Sequence, residues 1–388
     1  MATQSAFETQ IQAEQQAYLQ EVEAEMARFF TQQREVLSNI SPDALSLLEA
    51  IEALSTGGKR LRALLSYWGW RGAGGVSILE DPKPLSVVRI GVAIELFQSA
   101  ALIHDDIIDR SDTRRGAPAV HKRFENQHKS SAWRGDTFNY GLTGGIIAGD
   151  LCLSWSETMF ARTGVGSLPN RTARTVFDTM RTEVMAGQYL DVLSEVIDSE
   201  DYDAALQRAQ NVIRYKSAKY SCEHPLTLGG ALALDAQQNQ HHPILNAYRS
   251  FGLPLGEGFQ LRDDQLGVFG EPETTGKPAG DDIREGKRTV LVALTEKNAD
   301  QAGRSLLETC LGNPNLDVHD VQRVRGLMLS CGAVAQLEEL IARKSAAIDT
   351  ALAALPVPEQ VREALEAIAA KVNSIPCCSY TSTGGAGH

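Results

Sequence analysis

The chain has no run of 18 apolar residues and no N-terminal pattern of basic residues followed by an apolar stretch, so neither a membrane-spanning helix nor a secretory signal is predicted. Its six cysteines, at 152, 222, 310, 331, 377 and 378, show neither metal-ligand spacing nor a dense framework. That usage fits a reducing compartment, and a soluble, cytoplasmic protein is expected. The adjacent Cys377 and Cys378 lie beside a Gly/Ser/Thr-rich end and are read as exposed and incidental. Positive charge is short as well: 37 Lys and Arg face 49 Asp and Glu, a formal net charge of −12. This argues against a general nucleic-acid or anionic-membrane surface, so any anionic ligand must meet a local basic pocket. No Walker loop, Gly-rich dinucleotide fingerprint, GxSxG elbow or HExxH occurs, which removes the usual signs of nucleotide, hydride and hydrolase chemistry.

Helical pattern fills the space left by these absences. The 388 residues are 43% hydrophobic, ample for a continuous core. Stretches 43–54, 59–70, 86–108, 142–161, 171–194, 203–219, 245–266, 289–298, 318–329, 333–353 and 358–372 all carry helical periodicity or composition, and none shows sustained strand alternation. An all-α protein is predicted. Residues 1–40 form an N-terminal helical segment, its first 38 residues rich in Gln, Glu and Ala and expected to be exposed or to pack on a partner. A single domain is expected over 41–378, with a disordered tail at 379–388. The polar stretch between Arg110 and Tyr140 reads as a long functional loop.

Two carboxylate clusters interrupt apolar helical stretches: Asp105, Asp106 and Asp109 in IHDDIIDR, and Asp263 with Asp264 in FQLRDDQLG. Burying a carboxylate is costly without a compensating cation or hydrogen bond. Asp105 and Asp109, four apart, share a helix face. Two such clusters could hold hard divalent cations, magnesium above all where phosphate oxygens complete the shell. The plainer alternative is helix-end carboxylates paired with Arg110 and Arg262 on a solvated face. Basic residues stand close to both clusters. Lys59, Arg60 and Arg62 follow Gly57-Gly58 at a helix start suited to an anion; Arg114 and Arg115 follow the first cluster; Lys277 and Lys287 follow the second; Lys216 lies mid-chain in RYKSAKY. Each alone would pass for a surface charge. Together they imply two phosphorylated ligands, one held through metal and one by side-chain cations.

The segments GGKRLR (57–62), HDDIIDRSDTRRG (104–116), GQYLD (187–191), YKSAKY (215–220), FQLRDDQLG (259–267) and TGKPAGDDIREGKR (275–288) together resemble the trans-type polyprenyl diphosphate synthases, in flavour the geranylgeranyl diphosphate synthases of actinobacteria. The resemblance spans roughly residues 50 to 300. It implies an all-α bundle of the isoprenoid synthase type I fold enclosing a deep apolar cavity, usually a homodimer. Its reaction condenses isopentenyl diphosphate with an allylic diphosphate. By the same resemblance Asp105, Asp109 and Asp263 are magnesium ligands, Asp106 and Asp264 support them, and three ions accompany bound diphosphate. Lys59, Arg62, Gln98 and Arg115 resemble the isopentenyl diphosphate pocket. Arg114, Lys216, Ser217, Gln260, Lys277 and Lys287 resemble the allylic diphosphate site, with Lys216, Ser217 and Gln260 steadying the carbocation and loop 268–288 closing as a lid. Gly267 stands where many members carry a last aspartate, Ser217 replaces a common Thr, and Gln98 replaces a frequent His.

One helical turn, about 5.4 Å, approximates one isoprene unit, so residues upstream of Asp105 act as a ruler. Enzymes that stop at fifteen carbons place aromatics four and five residues before that aspartate; here Ala101 and Ala100 stand there. Phe97 and Ile94 lie deeper and are the candidate floor, although Phe97 could instead pack against a neighbouring helix. A C20 product is expected, with C25 or longer, or C15, as alternatives. A type I terpene cyclase shares DDxxD but has no use for Lys59, Arg62 and Arg115. A non-catalytic partner subunit would be expected to have lost one of the motifs.

Overall fold

The computed structural model describes residues 2–80, 82–164, 172–197, 201–235, 242–270 and 280–373. In chain order its elements are α1 (Ala2–Ile40), α2 (Leu45–Ser55), α3 (Leu61–Gly72), α4 (Leu85–Ile108), strands β1 (Thr113–Arg114) and β2 (Ala117–Pro118), α5 (Val120–Ser130), α6 (Thr137–Ala161), α7 (Thr172–Val196) and α8 (Tyr202–Val212). A π-helical stretch (Ile213–Glu223) follows, then α9 (His224–Asp235), α10 (Pro243–Phe269), α11 (Asp281–Glu285), α12 (Val290–Asn298), α13 (Gln301–Cys310), α14 (Val318–Ser330), α15 (Ala333–Ala353) and α16 (Glu359–Asn373). The predicted all-α class holds. The chain groups into two compact units: Met1–Met180, Ser221–Ser250 and Ala354–Leu365 form the first, and Arg181–Tyr220, Phe251–Ala353 and Glu366–His388 the second.

In the first unit α4 is buried on nearly every side, from Val87 through Ile94, Phe97 and Ala100 to Ile103. Its length and composition would suit a membrane span, but 72% of its most apolar window lies inside the protein, as in the core helix of a globular unit. Helix α1, expected to be exposed or to pack on a partner, instead packs on the body of the first unit. Tyr18, Val22, Met26 and Phe29 recur at helical spacing and are buried, and Glu14 on the same face accepts hydrogen bonds from Tyr67, Arg71, Ser77 and Gln360. The sparse apolar residues were enough because Glu14 is fully satisfied. Helices α3 and α9 pack backbone to backbone: a Cβ on Gly69 would fall 2.0 Å from the Leu226 carbonyl oxygen, and one on Gly229 would fall 1.7 Å from that of Ser66. Only glycine fits at such a crossing.

The stretch read as a long loop from Arg110 to Tyr140 is instead a tight hairpin and a helix. Thr113 pairs with Pro118 and Arg114 with Ala117, and the two turn residues, Arg115 and Gly116, have φ of 53° and 75°, both positive as a type I′ turn requires. Helix α5 buries Val120, His121, Phe124 and His128. Half of that inward face is histidine, so the stretch reads as polar. Helices α9, α11 and α13 were also absent from the sequence reading, and the helix expected over 203–219 changes to π winding at Ile213.

The core of the second unit joins Leu261, Val268, Leu291, Leu294, Leu307, Val324, Met328 and Leu337. Arg325, 8% exposed, donates through Nε to the Val268 carbonyl at 2.8 Å. This ties down the C-terminal end of α10, whose last carbonyls have no helical partner.

Candidate active site

Each aspartate cluster lies near a helix C-terminus. In the first unit Asp105 and Asp106 occupy the last turn of α4 and Asp109 is its C-cap residue. The negative end of the helix dipole makes three carboxylates unfavourable there unless cations join them. One is supplied internally: Arg114, carried back by the hairpin, donates through Nε to Asp106 Oδ1 at 2.8 Å and reaches Asp105 Oδ2 at 3.5 Å. Burial pulls the Arg114 guanidinium down, but its bond to Asp106 and the charges of Asp106, Asp105 and Asp109 outweigh this and raise its pKa. Asp106 is fully buried. It thus acts mainly on Arg114, while Asp105 and Asp109 are half-buried.

The basic residues of the first unit converge. Arg115 donates to the Leu54 carbonyl at 3.0 Å, and a Cβ on Gly58 would lie 3.3 Å from its Nη2, so Arg115 stands against the loop that carries Lys59. Arg62 donates to Ser221 Oγ at 2.8 Å. Burial lowers the Arg115 pKa, and the charges of Arg60, Arg114 and Arg62 lower it further against Glu95. Crowded cations of this kind favour an anion. Arg60 is the exception in the cluster. At 7% exposure it turns inward with φ 48°, pairs with Glu95 at 3.1 Å and donates to the Ser55 carbonyl at 2.5 Å. Gln98 is half-buried on α4; Ile94, Phe97 and Ala100 are buried and Ala101 half-buried.

In the second unit one pocket of about 120 Å³ gathers Asp191, Lys216, Ser217, Gln260, Asp263, Asp264, Asp282, Lys287 and Arg288. Six of the residues anticipated for allylic diphosphate and metal, Lys216, Ser217, Gln260, Asp263, Asp264 and Lys287, therefore share one wall. Lys277 lies outside the described residues. The π winding carries Lys216 and Ser217, and π-helical turns are frequent at functional sites. Lys216 pairs with Asp191 at 2.5 Å and Lys287 with Glu285 at 2.7 Å. Gln260 donates to Asp264 Oδ1 at 2.8 Å and to Asp263 Oδ2 at 3.3 Å, so its amide holds the aspartates of its own helix. Burial pushes the Asp264 carboxyl well up; Gln260 and Lys287 oppose this, while the charges of Asp282 and Asp263 add to it. Asp191, Asp263, Asp264 and Asp282 bring to this pocket oxygen donors of the kind a hard divalent cation takes, but among the described residues no three His, Cys, Asp or Glu side chains are gathered into a ready-made metal site. Asp191 and Asp282 were missed as individual residues, although both lie inside quoted motifs.

The segment expected to act as a lid over 268–288 is anchored at both ends. Val268 and Phe269 are buried at the close of α10, while Ile283 is buried and its carbonyl accepts from the Gly312 N–H at 2.8 Å. Residues 271–279 lie outside the described residues.

A family model described as Polyprenyl synthetase matches residues 45–328. The geranylfarnesyl diphosphate synthase of Aeropyrum pernix is 30% identical over 299 residues, 76% of this chain and 83% of that protein. The geranylgeranyl diphosphate synthase of Sulfolobus acidocaldarius is 31% identical over 283 residues, 72% of this chain and 75% of that one. Among solved structures, geranylgeranyl pyrophosphate synthase from Corynebacterium glutamicum, complexed with isoprenyl diphosphate and magnesium, matches with a TM-score of 0.82 at 34% identity. That match covers 92% of this chain and 98% of the other.

Proposed function

Given that the chain belongs to the polyprenyl synthetase family, we propose that it makes all-trans C20 geranylgeranyl diphosphate, with magnesium and the residues of the two motif groups in the roles set out below. The enzyme class itself is settled: it is a trans-prenyltransferase of the isoprenoid synthase type I fold that lengthens allylic diphosphates with isopentenyl diphosphate.

The observation that carries the reading of the residues is the shared pocket of Lys216, Ser217, Gln260, Asp263, Asp264 and Lys287. Asp105, Asp109 and Asp263 are proposed as magnesium ligands and Asp264 as their buried support. Magnesium held there, three ions in this reading, would supply neutralisation of the charge that builds on the departing diphosphate. Arg114, Lys216, Lys277 and Lys287 stabilise the same charge by direct contact. As the allylic C–O bond breaks, Gln260, Ser217 and the backbone of the π winding present their dipoles to the cation that forms. Lys59, Arg62, Gln98 and Arg115 hold the diphosphate of isopentenyl diphosphate, whose double bond attacks the cation. Loss of a proton to the released diphosphate then closes the new allylic double bond.

Ala100 and Ala101 admit a chain longer than C15, and Phe97 with Ile94 sets its end. A cytoplasmic homodimer belongs to this reading. Cys152, Cys222 and Cys310 are buried free thiols, and α6 exposes the adjacent Ile146 and Ile147, apolar surface suited to a second copy. The test is incubation of the purified protein with magnesium, isopentenyl diphosphate and the C5, C10 or C15 allylic diphosphate, with product length read by mass. A C20 product supports the reading. Products beyond C25 remove Phe97 as the floor, and cyclised hydrocarbon without condensation would replace the reading with a terpene cyclase.

A further inference from the structure

Gly267 lies inside α10 with no positive φ, where alanine would be favoured by about 1 kcal/mol. Its lack of a side chain therefore needs a packing reason. A Cβ built there would stand 1.9 Å from Asp282 Oδ2, 2.4 Å from its Cγ and 2.9 Å from Oδ1. The Asp282 carboxylate thus fills the volume into which a side chain at 267 would project. Position 267 is one helical turn beyond Asp263 and on the same face. Asp282 lines the same pocket as Asp263, Asp264 and Lys287, and its carboxylate lies 3.9 Å from Lys287 Nζ.

The backbone fixes this placement. The Lys287 N–H donates to the Asp282 carbonyl at 3.0 Å, and the Gly312 N–H to that of Ile283 at 2.8 Å. Positive φ at Gly280 and Gly286, 73° and 81°, brackets the α11 turn. Asp282 is consequently presented to α10 by a short helical turn pinned by the buried Ile283 rather than by a free loop.

We propose that Asp282 supplies the carboxylate that the second aspartate motif lacks at Gly267, where with Asp263 it would help to hold the divalent cation that accompanies bound diphosphate, and that Gly267 is required to admit it. This rests on the metal-assisted reading given above. The two positions form an exclusive pair: one holds the carboxylate and the other leaves it room. Restoring the motif by Gly267→Asp accordingly harms the site instead of improving it, because the new side chain and Asp282 claim one volume.

The test is a titration of the full chain with Mn2+ in the presence of inorganic diphosphate, read by the loss of free Mn2+ signal in electron paramagnetic resonance, with circular dichroism to confirm folding. Asp282→Asn, Gly267→Ala and Gly267→Asp should each weaken Mn2+ binding about 10- to 100-fold, the range for groups that support a metal site. Asp281→Asn should bind like wild type. The double variant Gly267→Asp/Asp282→Ala, which exchanges the two roles, should regain most of the loss. Wild-type affinity in Asp282→Asn, alongside a loss in Asp263→Asn, would overturn the proposal, and so would a double variant no better than Gly267→Asp. Because the readout is binding, a wild-type protein that takes up Mn2+ with diphosphate yet forms no C20 product would count against the product assignment alone. A wild type that takes up none would overturn both.

Discussion

Arg60 and Glu95 give the sharpest energetic test of the first unit. Their side chains are 5% and 7% exposed and pair at 3.1 Å. Replacing Arg60 with Met keeps the aliphatic stem but leaves Glu95 as a buried charge, a loss of about 3–5 kcal/mol. The Ser55 carbonyl at the end of α2 also loses its donor, adding about 1–3 kcal/mol if nothing replaces it. Glu95→Leu alone leaves the guanidinium held only by that carbonyl. The double variant Arg60→Met/Glu95→Leu removes both charges from an apolar setting and should lie near wild type, since such swaps are often neutral or stabilising. Urea unfolding of the four proteins gives the coupling energy, expected at about 3 kcal/mol or more. A single Arg60→Met cost under about 1 kcal/mol, or a double variant as unstable as the sum of the singles, would refute this account.

Arg115→Ala should raise KM for isopentenyl diphosphate with little change in kcat or in the unfolding midpoint; steady-state kinetics at fixed allylic substrate separate these. Ala101→Phe should shift products toward C15, and Phe97→Ala should lengthen them at a stability cost of about 3–5 kcal/mol for the emptied core position, both read by mass and thermal melting. Asp264 yields a pH prediction. Its folded pKa lies well above the ordinary 3.8 because of burial, so the folded state holds the proton more tightly than the unfolded chain does. Stability of the metal-free protein should therefore fall as pH rises from 3.8 through the folded value, and should level off above it. Asp264→Asn should be more stable than wild type at pH 8 without metal and show little difference at pH 3.5; equal melting temperatures at pH 8 would contradict this.

The groups proposed to react were legible because they stand in contiguous strings on helices whose apolar spacing is regular. Asp263 and Asp264 in FQLRDDQLG, and Lys216 with Ser217 in YKSAKY, needed only the fold to meet in one pocket. What stayed hidden depended on partners remote in sequence. Helix α5 reads as loop because His121 and His128 fill an inward face that hydropathy scores as polar. The π winding at Ile213–Glu223 is set by backbone bonding and not by side-chain period. GGKRLR offers three equivalent cations, and only the approach of α4 shows that Arg60 belongs to Glu95.

In the proposed reading, that separation of cations decides how an acidic protein holds anionic substrates. With a net charge of −12, the long-range field repels diphosphates, so capture depends on positive charge concentrated over a short distance and shielded from its own surplus of carboxylates. Arg60 and Arg114 are taken up by Glu95 and Asp106; they fix the loops on which Lys59 and Arg115 are mounted. Arg115 bears the cost of the crowding, its pKa lowered by burial and by three guanidinium neighbours. It does so at a positive φ of 53°, a conformation costing about 1–3 kcal/mol for a residue other than glycine. The hairpin turn itself accounts for the positive φ, but crowding of guanidinium groups makes little sense as packing. An anion would relieve that crowding, and in the proposed reading the hairpin turn at Arg115-Gly116 is the element of the first unit that captures substrate.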